Sequence, residues 1–132
     1  MPSFSEAEIT EVTSRILEGA GTSEKNAHLV AKLLAEANAT GHDSHGVIRI
    51  PQYLDAVEKG DIVPNAEVEI AVENPVTAIV DGDWGFGQVT MSRAVDVGLE
   101  KARKSGLAAI AVRKANHIGR LGSYVDQIAQ EG

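Results

Sequence analysis

Cysteine is absent from the 132 residues, which excludes disulfides, thiolate zinc sites and a cysteine nucleophile. Aromatic residues make up only 4% of the chain, so its core is expected to consist mainly of aliphatic side chains. The net charge is −7, and the basic face that phosphate binding requires is missing. The densest basic run, 101–104, is expected to form the solvated last turn of a helix. This composition argues against a nucleic-acid partner.

Apolar stretches long enough to span a membrane are also missing. Residues 1–20 are amphipathic and acidic, and they lack the basic start and apolar core of a secretory signal peptide. Hydrophobic residues nevertheless make up 43% of the chain, which is enough for the core of about one domain. We therefore expect a soluble, cytoplasmic protein without a membrane partner.

The first 65 residues carry the periodicity of helices. Ser5 and Glu8 form a capping box at the start of the first one. Its inward-facing residues are predicted to be Ile9, Val12, Ile16 and Leu17. A second helix, opened by Thr22 or Ser23, is expected to bury Ala27, Val30, Leu34 and Ala37. A third is predicted over 50–58, with Pro51 in its first turn.

The pattern changes after residue 65, where Val68, Ile70 and Val72 alternate with glutamates and predict a half-exposed strand. The expected elements that follow are a strand over 76–80, a turn at 81–82, a glycine-rich loop over 82–87, a helix over 88–104, a buried strand over 107–112 and a helix over 121–130. In the glycine-rich loop, Trp84 and Phe86 are expected to cover the core edge. The order predicts an α+β fold: a helical N-terminal segment, 1–65, and the start of a mixed sheet domain, 66–132, whose sheet is incomplete.

One polar loop, 43–49, contains Ser44, His45 and Arg49. Histidine exchanges protons near neutral pH, and a guanidinium binds a carboxylate in a bidentate manner, which is the pair that a 2-oxoacid reductase needs. The residue types alone leave a simpler interpretation open, in which Asp43 or Ser44 caps the next helix and His45 is a polar loop residue. His42 and His45 have the spacing of half a metal site, but apart from Asp43 no third ligand is close by, so no metal is expected.

A second polar loop, 116–122, follows a predicted strand and precedes a predicted helix. Ligands of α/β sheets gather at the carboxyl ends of strands, and helix N-termini bind phosphate through backbone amides. Arg120 would add charge there. Neither this loop nor 82–87 has the dinucleotide fingerprint, and each alone is more often a turn.

Residues 40–47, with Arg49, Tyr53 and Gly60, resemble the opening motif of the type-2 malate/L-lactate dehydrogenases. That family includes sulfolactate and ureidoglycolate dehydrogenases, diketogulonate reductase and cyclic imino-acid reductases. The similarity continues through 80–83, Gly85, Gly87, Gln88 and 115–119, where Ile118 stands in place of the usual aromatic residue.

The resemblance implies a non-Rossmann oxidoreductase that moves a hydride between NAD or NADP and a small 2-oxoacid, or alternatively a cyclic imino acid, and that forms a homodimer. It makes His45 the acid/base, oriented by Ser44, with His117 as the second candidate and Arg49 as the group that binds the substrate carboxylate. It implies that the cofactor contacts His117, Ile118, Gly119, Arg120 and Leu121. Family members are more than twice as long, so the chain is expected to be their N-terminal part. A non-catalytic dimerisation module is the remaining alternative.

Overall fold

A computed structural model describes residues 3–132. Met1 and Pro2 lie outside the described residues, and with them the first two positions of the expected 1–65 segment and of the amphipathic stretch 1–20. The helices are α1 (Glu6–Gly19), α2 (Glu24–Ala39), α3 (Ile50–Lys59), α4 (Gly87–Ser105) and α5 (Leu121–Gln130). The strands are β1 (Glu69–Glu73), β2 (Thr77–Gly85) and β3 (Ala109–Ala115). Two short 3₁₀ turns, Asp43–His45 and Val47–Arg49, lie between α2 and α3. The predicted order of helices and strands is confirmed.

The capping box at the start of α1 is present, because the Ser5 hydroxyl accepts from the Glu8 amide and the Glu8 carboxylate accepts from the Ser5 amide. The predicted inward face is wrong at two positions, since Val12 is 58% and Ile16 42% exposed. The residues that α1 buries are Thr10, Thr13, Ser14 and Leu17. Small side chains let α1 approach α2 closely, and this leaves the apolar stripe facing an open groove.

Helix α2 follows its prediction. Ser23 is the N-cap and accepts from the Asn26 amide. The predicted stripe of Ala27, Val30, Leu34 and Ala37 is buried. The main core cluster draws on α1, α2, α3 and the start of α4, and it contains Leu17, Ala27, Val30, Leu34, Ile50, Tyr53, Ile62 and Phe86. The helical segment and the start of α4 therefore share one core.

The three strands form one sheet, which is mixed as predicted, and their order is β1-β2-β3. β1 is antiparallel to β2, and β2 is parallel to β3. Helix α4 provides the crossover that a parallel pair needs, and it packs on both β2 and β3. Helix α2, which precedes residue 65, contacts α4 and α5, which follow it. The division of the chain into two segments at residue 65 stays a prediction.

The predicted turn at Asp81-Gly82 is wrong, because β2 continues through it to Gly85. The Asp81 carboxylate accepts from the Asp83 amide at 3.0 Å and from Arg113 Nε, on β3, at 2.7 Å. Pairing with β3 shifts register after Asp81 and resumes at Gly85, while Asp83 and Trp84 take positive φ values of 44° and 60°. The segment is therefore a strand with an irregularity. Trp84 is 54% exposed, which contradicts its expected role in covering the core.

The strand predicted as buried over 107–112 is displaced and only partly covered. β3 begins at Ala109, and Leu107 before it is 71% exposed. Ile110 and Val112 are half-buried, whereas the residues that alternate with them are exposed. The reason is that α4 covers one face of β3, and no element of residues 3–132 covers the other.

Lys101 corrects the expectation of a solvated basic turn at 101–104. Lys101 lies on α4, its side chain reaches the β1–β2 connection, and the residue is only 7% exposed. Nζ donates to the Glu73 carboxylate at 2.8 Å and to the Asn74 carbonyl at 2.7 Å. Among residues 3–132, no helix combines the length and hydropathy needed to cross a membrane.

Candidate functional site

The loop between α2 and α3 is folded around the side-chain amide of Asn38, which sits in the last turn of α2. Asn38 Nδ2 donates to Asp43 Oδ1 at 2.6 Å, and Asn38 Oδ1 accepts from the Val47 amide at 2.9 Å. Gly46 lies against this amide, because a Cβ there would be 2.1 Å from Asn38 Oδ1. Asn38 was missed in the sequence, where it reads as an ordinary polar position of a helix end.

The simpler interpretation, in which Asp43 or Ser44 caps the next helix, is wrong. The N-cap of α3 is Arg49, whose side chain makes no cap hydrogen bond. Ser44 Oγ instead lies 3.0 Å from Nδ1 of His45. Arg49 Nε donates to the Ser44 carbonyl at 2.7 Å, and Nη1 donates to Gln52 Oε1 at 2.9 Å. The three predicted residues of this loop are thus linked to one another.

The structure brings the two predicted loops together at their histidines. The rings of His45 and His117 are stacked, with centroids 5.6 Å apart and an interplanar angle of 27°. His117 Nδ1 lies 2.7 Å from the Tyr53 hydroxyl, which accepts from Gln88 Nε2 at 2.8 Å. Tyr53 and Gln88 are both buried. A short hydrogen-bonded chain therefore runs from the start of α4 to the imidazole.

Burial sets the protonation states of His117 and Tyr53. Desolvation lowers the pKa of His117 below its usual value, and the positive charge of Arg49 and the neighbouring His45 lower it further. Desolvation also raises the pKa of Tyr53, against the opposing effects of its bond with Gln88 and of Arg49. At neutral pH His117 is therefore a neutral imidazole that can accept a proton, and Tyr53 is a neutral phenol.

Tyr53 and Gln88 were found in the sequence only as members of the family-like motifs, without a role. Tyr53 follows the helical repeat of α3 and reads as a core residue, and Gln88 reads as the polar first turn of α4. The signal that could have singled out Gln88 is its position on the buried side of that turn, where an unpaired carboxamide is costly.

The loop before α5 is tied to the sheet through Asn116. Its Nδ2 lies 2.8 Å from the Trp84 carbonyl and 3.1 Å from the carbonyls of Gly85 and Asp61. Gly119 is buried with φ of 79°, and a Cβ there would lie 3.5 Å from Gln88 Nε2. This glycine provides the left-handed turn that brings the loop close to the buried amide.

Arg120 is already engaged by carboxylates. Its Nη1 lies 3.5 Å from Glu36, on α2, and 3.2 Å from Asp126, on α5. The N-cap residue of α5 is Arg120 itself, whose side chain makes no cap hydrogen bond, and Leu121 is exposed. The backbone of this turn can meet a ligand, whereas the charge of Arg120 is largely neutralised by its partners.

His42 bonds within its own turn, because its Nδ1 lies 3.0 Å from the Thr40 carbonyl. Within residues 3–132, no group of three or more His, Cys, Asp or Glu side chains is arranged to hold a metal ion.

These residues lie in a chain whose positions 4–132 match the malate/L-lactate dehydrogenase family. The chain belongs to this family. It is 41% identical to malate dehydrogenase of Pyrococcus abyssi over 125 residues, which cover 95% of the chain and 34% of that protein. The chain thus spans about a third of the length of such relatives.

Solved structures of the family share the fold. The structure of malate dehydrogenase from Pyrococcus horikoshii matches 96% of the chain with a TM-score of 0.92 and 32% identity, using 36% of its own length. Sulfolactate dehydrogenase from Methanocaldococcus jannaschii matches 92% of the chain with a TM-score of 0.90 and 34% identity, again using 36% of its length. The predicted sulfolactate dehydrogenase-like fold is confirmed.

Proposed function

We propose that this chain contributes the proton-transfer and carboxylate-binding part of an NAD- or NADP-dependent 2-hydroxyacid dehydrogenase. The observation that carries the proposal is the stack of His45 on His117, beside an Arg49 that the same loop positions. The two histidines come from separate loops that sequence patterns alone left as ordinary turns. Membership of the malate/L-lactate dehydrogenase family supports the same reaction class.

His117 is the better placed of the two histidines to exchange the proton. Its Nδ1 faces the Tyr53 hydroxyl, so Nε2 is the nitrogen that can serve a substrate oxygen. The lowered pKa keeps the ring of His117 neutral near neutral pH, where a hydroxyacid must lose its hydroxyl proton, and Nε2 accepts that proton when the ring carries its own proton on Nδ1. In the reverse direction the protonated ring returns that proton to the carbonyl oxygen. His45, held by Ser44, limits the orientations that the His117 ring can take.

Arg49 is arranged to hold a carboxylate. Its hydrogen bonds to Ser44 and Gln52 use Nε and one N–H of Nη1. Both N–H groups of Nη2 are without a partner among residues 3–132, and a planar guanidinium presents such groups to a carboxylate in a fixed direction. Binding the carboxylate there would place the neighbouring carbon and its oxygen near the histidine pair.

A bound nicotinamide cofactor would supply the hydride chemistry at that carbon. The turn 117–121 fits a contact with it through backbone, because Gly119 adopts the left-handed conformation and the first turn of α5 lacks a side-chain cap. The fit does not extend to charge recognition by Arg120, whose guanidinium is paired with Glu36 and Asp126. Ile118 and Leu121 complete the proposed cofactor contact.

The test is a set of histidine variants in the full-length protein, assayed in both directions with NAD(H) and NADP(H). We expect His117→Ala to lower kcat by about 10²–10⁴-fold, the usual contribution of a positioned acid/base. His45→Ala should also lower kcat, because it removes the ring that stacks on His117. His28→Ala is the matched control, since His28 is exposed on α2, and it should leave turnover unchanged. Near-normal turnover of both site variants would refute the proposal.

A substrate panel with malate, lactate, sulfolactate and a cyclic imino acid gives the specificity. We expect the hydroxyacids to be oxidised and Arg49→Lys to raise KM more than it lowers kcat, because a lysine loses bidentate geometry. Activity confined to the cyclic imino acid would replace the hydroxyacid with the imine as substrate. A homodimeric state and a cytoplasmic location belong to the same proposal.

A further inference from the structure

The side chain of Gln88 is buried completely, with 0% exposure, and its amide is used at one end only. Nε2 donates to the Tyr53 hydroxyl at 2.8 Å, whereas Oε1 has no hydrogen-bond partner among residues 3–132. An unpaired buried acceptor costs free energy, so its presence beside the histidine pair calls for a reason. Gly119 lies close to the same amide, because a Cβ added to this glycine would be 3.5 Å from Nε2 of Gln88.

A hydroxyl has a single proton, so the end of the amide that faces Tyr53 decides the direction of the bond between Tyr53 and His117. When Nε2 of Gln88 donates to the hydroxyl, Tyr53 gives its own proton to His117 Nδ1. Neutral His117 then carries its proton on Nε2. When Oε1 faces the hydroxyl instead, Tyr53 donates to Gln88 and accepts from Nδ1–H of His117.

The two ends of a carboxamide have nearly the same size, so Gln88 can turn over without moving its neighbours. The reversed direction suits a charged His117, because an imidazolium has a proton on both nitrogens and needs an acceptor at Nδ1. It also suits a neutral base, since a proton held on Nδ1 leaves the lone pair of Nε2 free for a substrate hydroxyl. The unpaired Oε1 is the acceptor that both states require.

The geometry points to Gln88 as a positioning residue that acts on His117 through Tyr53, its amide turning over to match the protonation state of the imidazole. This inference rests on the proposed role of His117 for its use in catalysis, although the hydrogen-bond direction itself does not depend on turnover. The charged and titratable groups that face His117 are Arg49, His45 and Tyr53, and substitution of Gln88 removes none of them.

The direct test is the tautomer of His117 in full-length protein labelled with ¹⁵N-histidine, read from the chemical shifts of Nδ1 and Nε2 at a pH where the ring is neutral. In the unmodified protein we expect the Nε2–H tautomer to exceed the Nδ1–H tautomer by roughly tenfold, the equilibrium value of one hydrogen bond. In Gln88→Glu the carboxylate only accepts, so the Nδ1–H tautomer should become the major one. Gln130→Glu, on the exposed end of α5, is the control and should leave the tautomer unchanged.

Burial of a carboxylate at residue 88 could prevent folding, and Gln88→Met then provides the measurement. Methionine fills the space without directing the hydroxyl, so the preference for Nε2–H should shrink toward equal populations. An unchanged tautomer ratio in either folded variant would overturn the inference and leave Gln88 as a space-filling residue.

Turnover separates this inference from the proposed function. A changed tautomer together with a shifted pH profile of kcat/KM supports both. A changed tautomer with an unaltered pH profile supports the hydrogen-bond control by Gln88 and contradicts the role proposed for His117. Titration of the Gln88 side-chain amide signals should have the same midpoint as His117, and a flat response would also count against the reversal of the amide.

Discussion

Gly46 and Asn38 form a pair whose energetics can be worked out from the geometry of the loop. In Gly46→Ala, the new methyl group would sit 2.1 Å from Asn38 Oδ1, so the amide must leave its place. The backbone at Gly46 has φ of −92° and ψ of −155°, which alanine adopts without strain. The cost of the substitution is therefore the cost of displacing Asn38.

That cost equals the loss of the bonds from Asn38 to Asp43 and to the Val47 amide. Asp43 is exposed and regains water, so the total is about 1–3 kcal/mol of unfolding free energy. Asn38→Ala removes the same bonds and should cost a similar amount. The double variant has neither the clash nor the bonds. Its cost should match that of either single variant, which gives a coupling energy of about 1–3 kcal/mol.

The assay is urea unfolding of the full-length protein and its variants, followed by circular dichroism under conditions where the transition is cooperative. Gly19→Ala is the matched control, because no atom lies within 4 Å of the added Cβ at the end of α1. It should be neutral or slightly stabilising. A double variant that loses the sum of the two single costs would refute the reasoning, since it would show that Gly46 and Asn38 act independently.

Two further predictions concern charge. Because Arg49 contributes to the lowered pKa of His117, Arg49→Gln should raise that pKa toward 6.5, while Arg49→Lys should keep it low. The measurement is an NMR titration of the His117 ring. Equal pKa values of His117 in the two variants would contradict the electrostatic cause. Lys101→Met should lower the unfolding free energy by about 1–3 kcal/mol, because the Asn74 carbonyl loses its donor. Lys104→Met, at an exposed position, should change it by less than about 0.5 kcal/mol. If the urea midpoints of both variants moved equally, the burial of Lys101 would add nothing to stability.

Local signals in the sequence were sufficient for most of the helices. The capping box of Ser5 and Glu8 and the buried stripe of α2 depend on residues a few positions apart, and both are present. The inward face of α1 could not be predicted in the same way. Val12 and Ile16 are more apolar than Thr13 and Ser14, but the side that is buried depends on how closely α2 can approach.

The sheet shows the same limit. Asp81-Gly82 is a turn signal when only neighbouring residues are considered. Pairing with β1 on one side and β3 on the other overrides it, and the Asp81 carboxylate bonds to Arg113 across the sheet. The partial exposure of β3 has a similar origin, because a continuous apolar run does not show how many of its faces other elements cover.

At the candidate site, the sequence indicated which residue types have suitable chemistry but not how they meet. Ser44, His45 and Arg49 were found as one loop, and their mutual hydrogen bonds agree with that grouping. The stack on His117 joins segments far apart in the chain, so no local pattern could reveal it. The link through Tyr53 and Gln88 was invisible for the same reason, since it connects three separate segments.

The three carbonyls that surround the Asn116 amide have a consequence for engineering. Two of them end β2 and the third follows α3, so the residue before His117 takes its place from two segments outside the proposed site. A change that moves the backbone at Asp61 or Trp84 would shift the imidazole of His117 relative to Arg49 without altering any group proposed to touch substrate. Substrate preference could in this way be tuned from outside the pocket, by moving the imidazole of His117 instead of changing the side chains that line the pocket.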